Sequence, residues 1–177
     1  MNTDRIVVLG VGNILLKDEG VGVRVVEEFA RRYNVPENVR LVDGGTQGLW
    51  LLPTLQEADH LIVIDAVLGG GEPGTLYRLE RKDLPRGLRV KQSAHDSDLV
   101  EALNLCSLLE QEPKTVVVIG VQPEDITPYG TELTPTILGK LDELVGKVAE
   151  ELDRLGVQLE NNLQPLSWCA KSTFSNR

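Results

Sequence analysis

The feature that most constrains the fold is one stretch near the start of the chain, residues 6–26, reading IVVLGVGNILLKDEGVGVRVV. It opens with a short β-branched run that ends in glycines, which is typical of a buried strand in a parallel sheet. Apolar residues then recur at a helical spacing, at Val21, Val25, Val26 and Phe29. The stretch therefore predicts a strand, a glycine turn and a helix, the first half of a βαβ unit.

The glycine turn lacks part of the dinucleotide-binding pattern. Gly10 and Gly12 are present, but Leu15 replaces the third glycine. Asp18 and Glu19 stand where the helix should begin, and two carboxylates would repel a pyrophosphate bound there. Asp18 suits an N-cap, and plain capping is also the simpler explanation for either acid taken alone.

The rest of the chain alternates predicted strands and helices. Further strands are predicted at 39–43, 61–65, 75–79 and 115–121, and helices at 19–33, 49–55, 98–109 and 134–155. The strand at 75–79 follows the glycine turn 69–74 too closely for a helical crossover, so we expect it to be antiparallel to the third strand or to lie at a sheet edge. The pattern predicts an α/β fold with an open, mostly parallel sheet covered on both faces.

Three details refine this prediction. Asp98 with Glu101 resembles a capping box, and Thr134 followed by Pro135 is a good helix start. Residues 1–157 are predicted to form one domain. The polar, aperiodic residues 158–177 are predicted to form a loose tail.

Composition excludes several classes of partner. The formal net charge is −9, with 41% hydrophobic and 25% charged residues. An acidic chain without basic clusters argues against nucleic acid or an anionic membrane as a partner. No segment has the apolar length of a membrane helix, and the N-terminus shows no secretory pattern. Two cysteines do not make a disulfide framework, so a cytoplasmic location is predicted.

Candidate site residues can be sorted by position in the sheet. In open α/β sheets, ligands bind at the carboxyl ends of the strands. Asp43 and Asp65 end the second and third strands, Glu19 follows the first, and Gln122 follows the last. His95 lies in a polar loop just before a helix.

Glu19, Asp65 and His95 could bring two carboxylates and one imidazole to a single crevice. Such ligands suit nickel, zinc or manganese, and three protein ligands leave positions open for water or substrate. Simpler explanations stay open, because strand-end aspartates often cap turns and many loop histidines are solvated. Asp43 and Asp65 could alternatively share a proton as acid and base.

Other chemistry is less favoured by the residues present. His60 precedes the third strand, at the edge opposite the crevice, and is interpreted as a surface or structural histidine. Cys106 is predicted on the core face of a helix, Cys169 lies in the tail, and no GxSxG elbow occurs. A nucleophilic serine or cysteine is therefore not predicted.

Taken together, these motifs make the sequence resemble the hydrogenase maturation endopeptidases, which remove a C-terminal extension from the large-subunit precursor of nickel–iron hydrogenases. The resemblance covers residues 5–156. It depends on VLGVGNILLKDEGVGVRVVE, LVDGGTQG, IVIDAV, the SAHD loop, and VIGVQPE followed by ELTPT.

The resemblance implies a three-layer α/β/α fold with a five-stranded twisted sheet and one antiparallel strand. It places the family's metal-binding and catalytic residues on Glu19, Asp65 and His95. It implies a substrate-contact or cleft-shaping role for the stretch 43–46, which comprises Asp43, Gly44, Gly45 and Thr46. Gln122, which follows the last strand at the same edge, is also a candidate for substrate contact.

The activity implied is a metal-dependent protease grouped with the aspartic-type endopeptidases. Its nickel is expected to arrive already bound to the precursor, although another divalent ion could occupy the site in a crystal. Three rivals stay open: a nucleotide-dependent reductase, a non-catalytic nickel-sensing or chaperone module, and a peptidyl-tRNA hydrolase. The last of these is disfavoured by the acidic net charge.

Overall fold

A computed structural model describes residues 4–84 and 96–162 of the chain. The strands are β1 Ile6–Val11, β2 Tyr33–Asn34, β3 Val39–Gly45, β4 His60–Ala66, β5 Leu76–Glu80, β6 Thr115–Val121 and β7 Glu160–Asn161. The α-helices are α1 Val21–Arg32, α2 Leu52–Gln56, α3 Asp96–Leu108, α4 Pro135–Leu138 and α5 Leu141–Arg154. Short 3-10 turns cover Lys17–Gly20, Gly48–Leu51 and Arg81–Asp83.

The central sheet has five strands in the order β3-β1-β4-β6-β5. β1 pairs in parallel with β3 and β4, and β4 pairs in parallel with β6. β5 forms an edge of the sheet, which was one of the two predicted placements, and its antiparallel partner is β6 and not β4. The predicted α/β class, with one antiparallel strand, is confirmed.

Helices cover both faces of the sheet, which explains why its strands read as continuous apolar runs. Val8 and Ile62 face the cluster that includes α1 and α5. Val7 and Leu61 point to the opposite face, in the cluster that contains α2 and residues of α3. Successive residues of each strand thus supply two separate cores.

The topology places a crevice between β1 and β4. The chain leaves β1 through α1, on one face, to reach β3, and it leaves β4 through β5 and α3, on the other face, to reach β6. The connections diverge at the neighbouring strands β1 and β4. The carboxyl ends of these two strands therefore form the topological switch point, where ligands bind in open α/β sheets.

Close backbone contacts hold the start of α1 at this switch point. A Cβ atom added to Gly22 would lie 2.2 Å from the carbonyl oxygen of Ile64 and 2.4 Å from that of Val11. A Cβ on Gly10 would lie 2.4 Å from the carbonyl oxygen of Gly22. Only glycines allow the helix to approach the strand ends this closely.

The long C-terminal helix predicted at 134–155 is interrupted. Thr134 caps the short helix α4, accepting a hydrogen bond from the Ile137 amide at 3.4 Å, so the predicted start is confirmed. Lys140 N then donates to the Ile137 carbonyl at 2.9 Å, an i−3 pattern that ends the α-helical ladder at Gly139. The helix resumes as α5 and is followed by Gly156 in a left-handed conformation, with φ 78°.

Two predicted helix starts are wrong. The first α-helix begins at Val21, after a 3-10 turn, and Gly20 rather than Asp18 is its N-cap. α3 spans Asp96–Leu108, so Asp98 lies inside the helix and is not its first residue. Three candidate capping residues occur in succession at 96–98, and the sequence pattern does not distinguish between them.

The predicted loose tail is partly paired. Glu160–Asn161 forms an antiparallel pair with Tyr33–Asn34, so the prediction is wrong for these two residues. Residues 163–177 lie outside the described part of the chain, as do residues 85–95 of the predicted loop. Within the described residues, no helix is both long enough and apolar enough to cross a bilayer.

Replacing Gly22 with alanine should destabilise the fold by about 3 kcal/mol, because the new Cβ would overlap two backbone carbonyl oxygens. The matched control is Gly146→Ala in α5, where an added Cβ meets nothing within 4 Å. That change should stabilise the protein by about 0.5–1 kcal/mol. Urea unfolding of both variants measures the difference, and equal stabilities would contradict the close contact of α1 with the sheet.

Candidate active site

Asp65 lies at the carboxyl end of a central strand. It is the last but one residue of β4 and is 8% exposed. Its Oδ1 accepts a hydrogen bond from the amide of Ala66 at 2.8 Å. The predicted strand-end carboxylate is therefore present at the switch point, with little solvent access.

Glu19 is brought to the same crevice by α1. It lies in the 3-10 turn Lys17–Gly20, three residues before Gly22, and is partly exposed. Since Gly22 packs against the carbonyl oxygen of Ile64, the turn that bears Glu19 lies near the residue that precedes Asp65. The backbone of both predicted acids therefore lies near the carboxyl ends of β1 and β4, and the convergence of their side chains stays a prediction.

The glycine turn after β1 has no room for a phosphate. Gly12 has φ 124°, and a Cβ there would lie 1.8 Å from the carbonyl oxygen of Glu19. The backbone of the following turn occupies the space that a dinucleotide pyrophosphate would need. This packing argues against the nucleotide-dependent reductase.

His95 lies outside the described residues, so its place in the predicted trio stays a prediction. The helix that follows it, α3, leads to the start of β6, and its first residue is Asp96. Among the described residues, no group of three His, Cys, Asp or Glu side chains could hold a metal ion.

The stretch 43–46, predicted to contact substrate, forms the end of β3 and the following turn. Asp43 and Thr46 are exposed, whereas Gly44 is buried against Leu9, where a Cβ would lie 2.7 Å from Cδ1. Gly45 has φ 42° and turns the chain. This geometry is compatible with either contacting the substrate or shaping the cleft.

A proton-sharing pair of Asp43 and Asp65 is disfavoured by the register. Asp43 pairs with Gly10 of β1, and Gly10 pairs on its other side with Ile64. A whole strand therefore separates the two acids, and two strand spacings amount to about 10 Å.

Gln122 supports a neighbouring turn. Its Oε1 accepts hydrogen bonds from the amides of Gly69 and Gly70, both at 3.0 Å, and from the Tyr77 hydroxyl at 3.3 Å. The carbonyl end of this side chain thus shapes the turn after β4. A substrate contact made by Gln122 stays a prediction.

The residues that were set aside as non-catalytic occupy structural positions. His60 begins β4, at the opposite end from Asp65, and bonds Thr115 Oγ1 at 2.8 Å and Asp4 Oδ2 at 3.1 Å. Cys106 is fully buried in α3, and burial raises the pKa of its thiol. Both placements confirm the sequence-based interpretation, while Cys169 lies outside the described residues.

A family model described as hydrogenase maturation protease matches residues 23–151. The chain belongs to the hydrogenase maturation protease family.

Similar proteins have related names. The chain is 44% identical over 165 residues to hydrogenase expression/formation protein HupD of Bradyrhizobium diazoefficiens, covering 93% of this chain and 86% of that protein. It is 39% identical over 155 residues to the hydrogenase 2 maturation protease of Escherichia coli, covering 87% and 94%. The solved structure of the hydrogenase maturating endopeptidase HybD from E. coli aligns with a TM-score of 0.84 and 38% identity, covering 89% of this chain and 98% of that one. The family is one of peptide hydrolases, as the sequence resemblance implied.

One residue beside the candidate site was misinterpreted from the sequence. Asp18 was predicted to be an N-cap, but it is 0% exposed and its carboxylate bonds to residues of the segment 124–134. Because most of its partners are backbone amides over 100 positions away, no local sequence pattern reveals them.

Exposed apolar side chains lie on two loops of the protease that are joined beside Glu19. We call this set the apolar rim; it comprises Ile14, Leu15, Ile126 and Tyr129, which are 39%, 51%, 39% and 88% exposed. The amide of Gly130 donates to the Leu15 carbonyl at 3.0 Å, so the two loops are hydrogen-bonded to each other. The two connected loops thus present several exposed apolar side chains next to the turn that bears Glu19.

An ion pair joins the same loops. Lys17 Nζ donates to Asp125 Oδ2, and Thr127 donates to Asp125 Oδ1 through its hydroxyl at 2.7 Å and its amide at 2.8 Å. Lys17, and then Thr127, hold the pKa of the Asp125 carboxyl well below its usual range. A carboxyl whose pKa is lower in the folded state than in the unfolded state stabilises the fold at pH values above the unfolded-state pKa. This stabilisation is lost as the pH falls through the folded-state pKa.

Lys17→Met should therefore raise the pKa of Asp125 toward its ordinary value of about 3.9, because the hydrogen bond that lowers this pKa most is removed. The stability that this carboxyl contributes should then be smaller, and its loss on the acid side should be complete at a higher pH. NMR titration of the Asp125 carboxyl carbon measures the pKa. Lys147→Met, which removes an exposed pair with Glu150 on α5, is the control and should leave Asp125 unchanged. An Asp125 pKa that is the same in both variants would contradict the described contact.

Proposed function

We propose that this protease removes the C-terminal extension of a nickel–iron hydrogenase large-subunit precursor, after nickel has been inserted into that precursor. The observation that supports the proposal most is that Asp65 lies near the carboxyl end of β4 and that Glu19 lies in the turn packed close to the end of that strand. Membership of the hydrogenase maturation protease family supports the reaction class and the kind of substrate.

The substrate's nickel is the recognition signal in this proposal. Glu19 and Asp65 offer carboxylate oxygens, and His95 offers an imidazole nitrogen, a donor set that nickel accepts. Asp65 is 8% exposed, so its charge interacts strongly with a cation that enters the mouth. These side chains dock on the precursor's metal and fix the scissile peptide bond in register.

The same groups are proposed to carry the hydrolysis. A metal ion in the precursor would supply Lewis-acid chemistry, and a carboxylate at the mouth would hold and deprotonate the attacking water. Under this proposal the enzyme is a metal-dependent protease of the aspartic type. In one alternative the trio only recognises nickel, and another group activates the water.

The apolar rim is proposed to bind the precursor protein around the cleavage point. Leu15 lies four residues before Glu19, and the hydrogen bond to Gly130 holds Tyr129 on the neighbouring loop. A precursor docked on these side chains would present its extension to the adjacent mouth. Cytoplasmic location, predicted from cysteine usage, stays a prediction.

To test the proposal, the purified protein is incubated with nickel-loaded and with nickel-free precursor, and the mass of the precursor is followed by mass spectrometry. Only the loaded precursor should be shortened. Glu19→Gln, Asp65→Asn and His95→Gln should each lower kcat by about 10²–10⁴-fold, the usual value of a positioned acid–base group. His60→Gln, at the opposite edge of the sheet, is the matched histidine control and should retain activity.

The outcomes separate the alternatives. Binding of loaded precursor without any mass loss would favour a nickel-sensing or chaperone module. If Asp65→Asn abolishes cleavage but leaves precursor binding intact, recognition alone is insufficient to explain its role. Full activity in all three site variants would contradict the proposed site.

The rim makes a second, kinetic prediction. Leu15→Ser and Tyr129→Ala should each raise the KM for the precursor about tenfold with kcat retained, which corresponds to about 1.4 kcal/mol of lost binding. Leu108→Ser is the control, since Leu108 is 80% exposed at the far end of α3. An equal rise in KM for the control, or no rise for the rim variants, would contradict docking on the rim.

A further inference from the structure

The carboxylate of Asp18 is completely buried. Its residue is 0% exposed, while the adjacent Lys17 and Glu19 are partly exposed. A buried charge is tolerated only when hydrogen bonds replace its lost hydration. The partners of Asp18 therefore indicate what this charge is used for.

Both oxygens of this carboxylate accept hydrogen bonds from the segment that follows β6. Oδ2 accepts from the amides of Glu124 and Asp125, at 3.0 Å and 2.9 Å, and from the Thr134 hydroxyl at 3.0 Å. Oδ1 accepts from the Thr134 amide at 2.7 Å. Asp18 thus connects the turn that bears Glu19 to both ends of the segment 124–134.

The turn that Asp18 anchors is under local strain. Lys17, immediately before it, has φ 53°, a left-handed conformation that is unfavourable for a side chain of this kind. Backbone bonds already hold the two loops together: Lys17 N donates to the Gly130 carbonyl at 2.8 Å, and Asp18 N to the Asp125 carbonyl at 3.2 Å. The hydrogen bonds of the buried carboxylate add to these backbone bonds and fix the turn immediately before Glu19.

We propose that Asp18 is a positioning residue, which holds the Lys17–Gly20 turn so that the Glu19 carboxylate faces the reaction mouth. Asp18 is covered by protein and acts through Glu19, without touching the precursor. The inference rests on the proposed role of Glu19 in cleavage. Misplacing a reacting group by about 1 Å can cost about 10²-fold in rate.

Asparagine is the informative replacement because it keeps the shape of the side chain. Its amide NH₂ would face a backbone amide in place of an acceptor oxygen, and its single oxygen cannot satisfy all four donors. Asp18→Asn should lower kcat about 10²-fold with the precursor KM changed less than about threefold, since the backbone bonds between the loops keep the apolar rim assembled.

The control is Glu151→Gln, at a second buried carboxylate. Glu151 is 7% exposed and accepts hydrogen bonds from Arg78 Nε at 2.7 Å and Nη2 at 3.1 Å. It lines a pocket beside Thr115 and Leu61, near the first residues of β6 and β4 and away from the mouth. Folded Glu151→Gln, assayed below its melting temperature, should keep both kcat and KM.

A double-mutant cycle with Glu19→Asp distinguishes positioning from a general loss of structure. Glu19→Asp keeps a carboxylate but shortens it, so residual activity remains measurable. If Asp18 acts through Glu19, Asp18→Asn should cost less than about threefold in this background, far below its effect alone. Losses in kcat that multiply, or a folded Asp18→Asn protein with wild-type kcat, would overturn the proposal.

Thr134→Val replaces Asp18→Asn if the latter fails to fold. It removes one of the four donors and also the hydroxyl that caps α4, and it leaves the Thr134 amide in place. It should lower kcat about tenfold at unchanged KM, and an unchanged kcat would overturn the proposal. Full activity of Glu19→Gln would reject the proposed site together with this inference, whereas an inactive Glu19→Gln beside an active Asp18→Asn rejects the inference alone.

Discussion

The structure depends on one close backbone contact, that of Gly22 with the carbonyl oxygens of Val11 and Ile64. A side chain at this position would push α1 away from the ends of β1 and β4, because packed cores do not absorb an extra methyl group without strain. The contact brings the turn before α1 over the carboxyl edge of the sheet. Glu19 therefore meets the strand that bears Asp65, although 46 positions separate them in the chain.

A second constraint fixes the loops around that mouth. The buried Asp18 carboxylate, the Lys17–Asp125 ion pair and the Gly130–Leu15 backbone bond all connect the loop after β1 with the segment after β6. These loops start at the carboxyl ends of β1 and β6, and their apolar side chains are exposed to solvent. Several independent contacts thus tie together the two loops that carry the apolar rim, beside the turn that bears Glu19.

Sequence patterns predicted the features that depend on local chemistry. Continuous apolar runs located β1, β4 and β6, and Thr134 followed by Pro135 located the start of α4. The patterns missed features that depend on distant partners. Asp18 resembled an N-cap because it stands just before a helical pattern. Its actual role was missed because its backbone partners lie far along the chain. Pairing of Glu160–Asn161 with Tyr33–Asn34 was missed because each strand has only 2 residues. Sheet order placed Glu19 and Asp65 at one edge, whereas His95 lies outside the described residues.

The central claim is that Glu19, Asp65 and His95 converge on one metal-binding mouth. Diffraction data collected at the nickel absorption edge, from crystals of the protein soaked in nickel, test it most directly. The account predicts one anomalous peak about 2.0–2.2 Å from an oxygen of each acid and from a ring nitrogen of His95, the usual range for such first-row metal bonds. Nickel that fills other sites while this mouth stays empty, or an imidazole beyond reach of both acids, would contradict it.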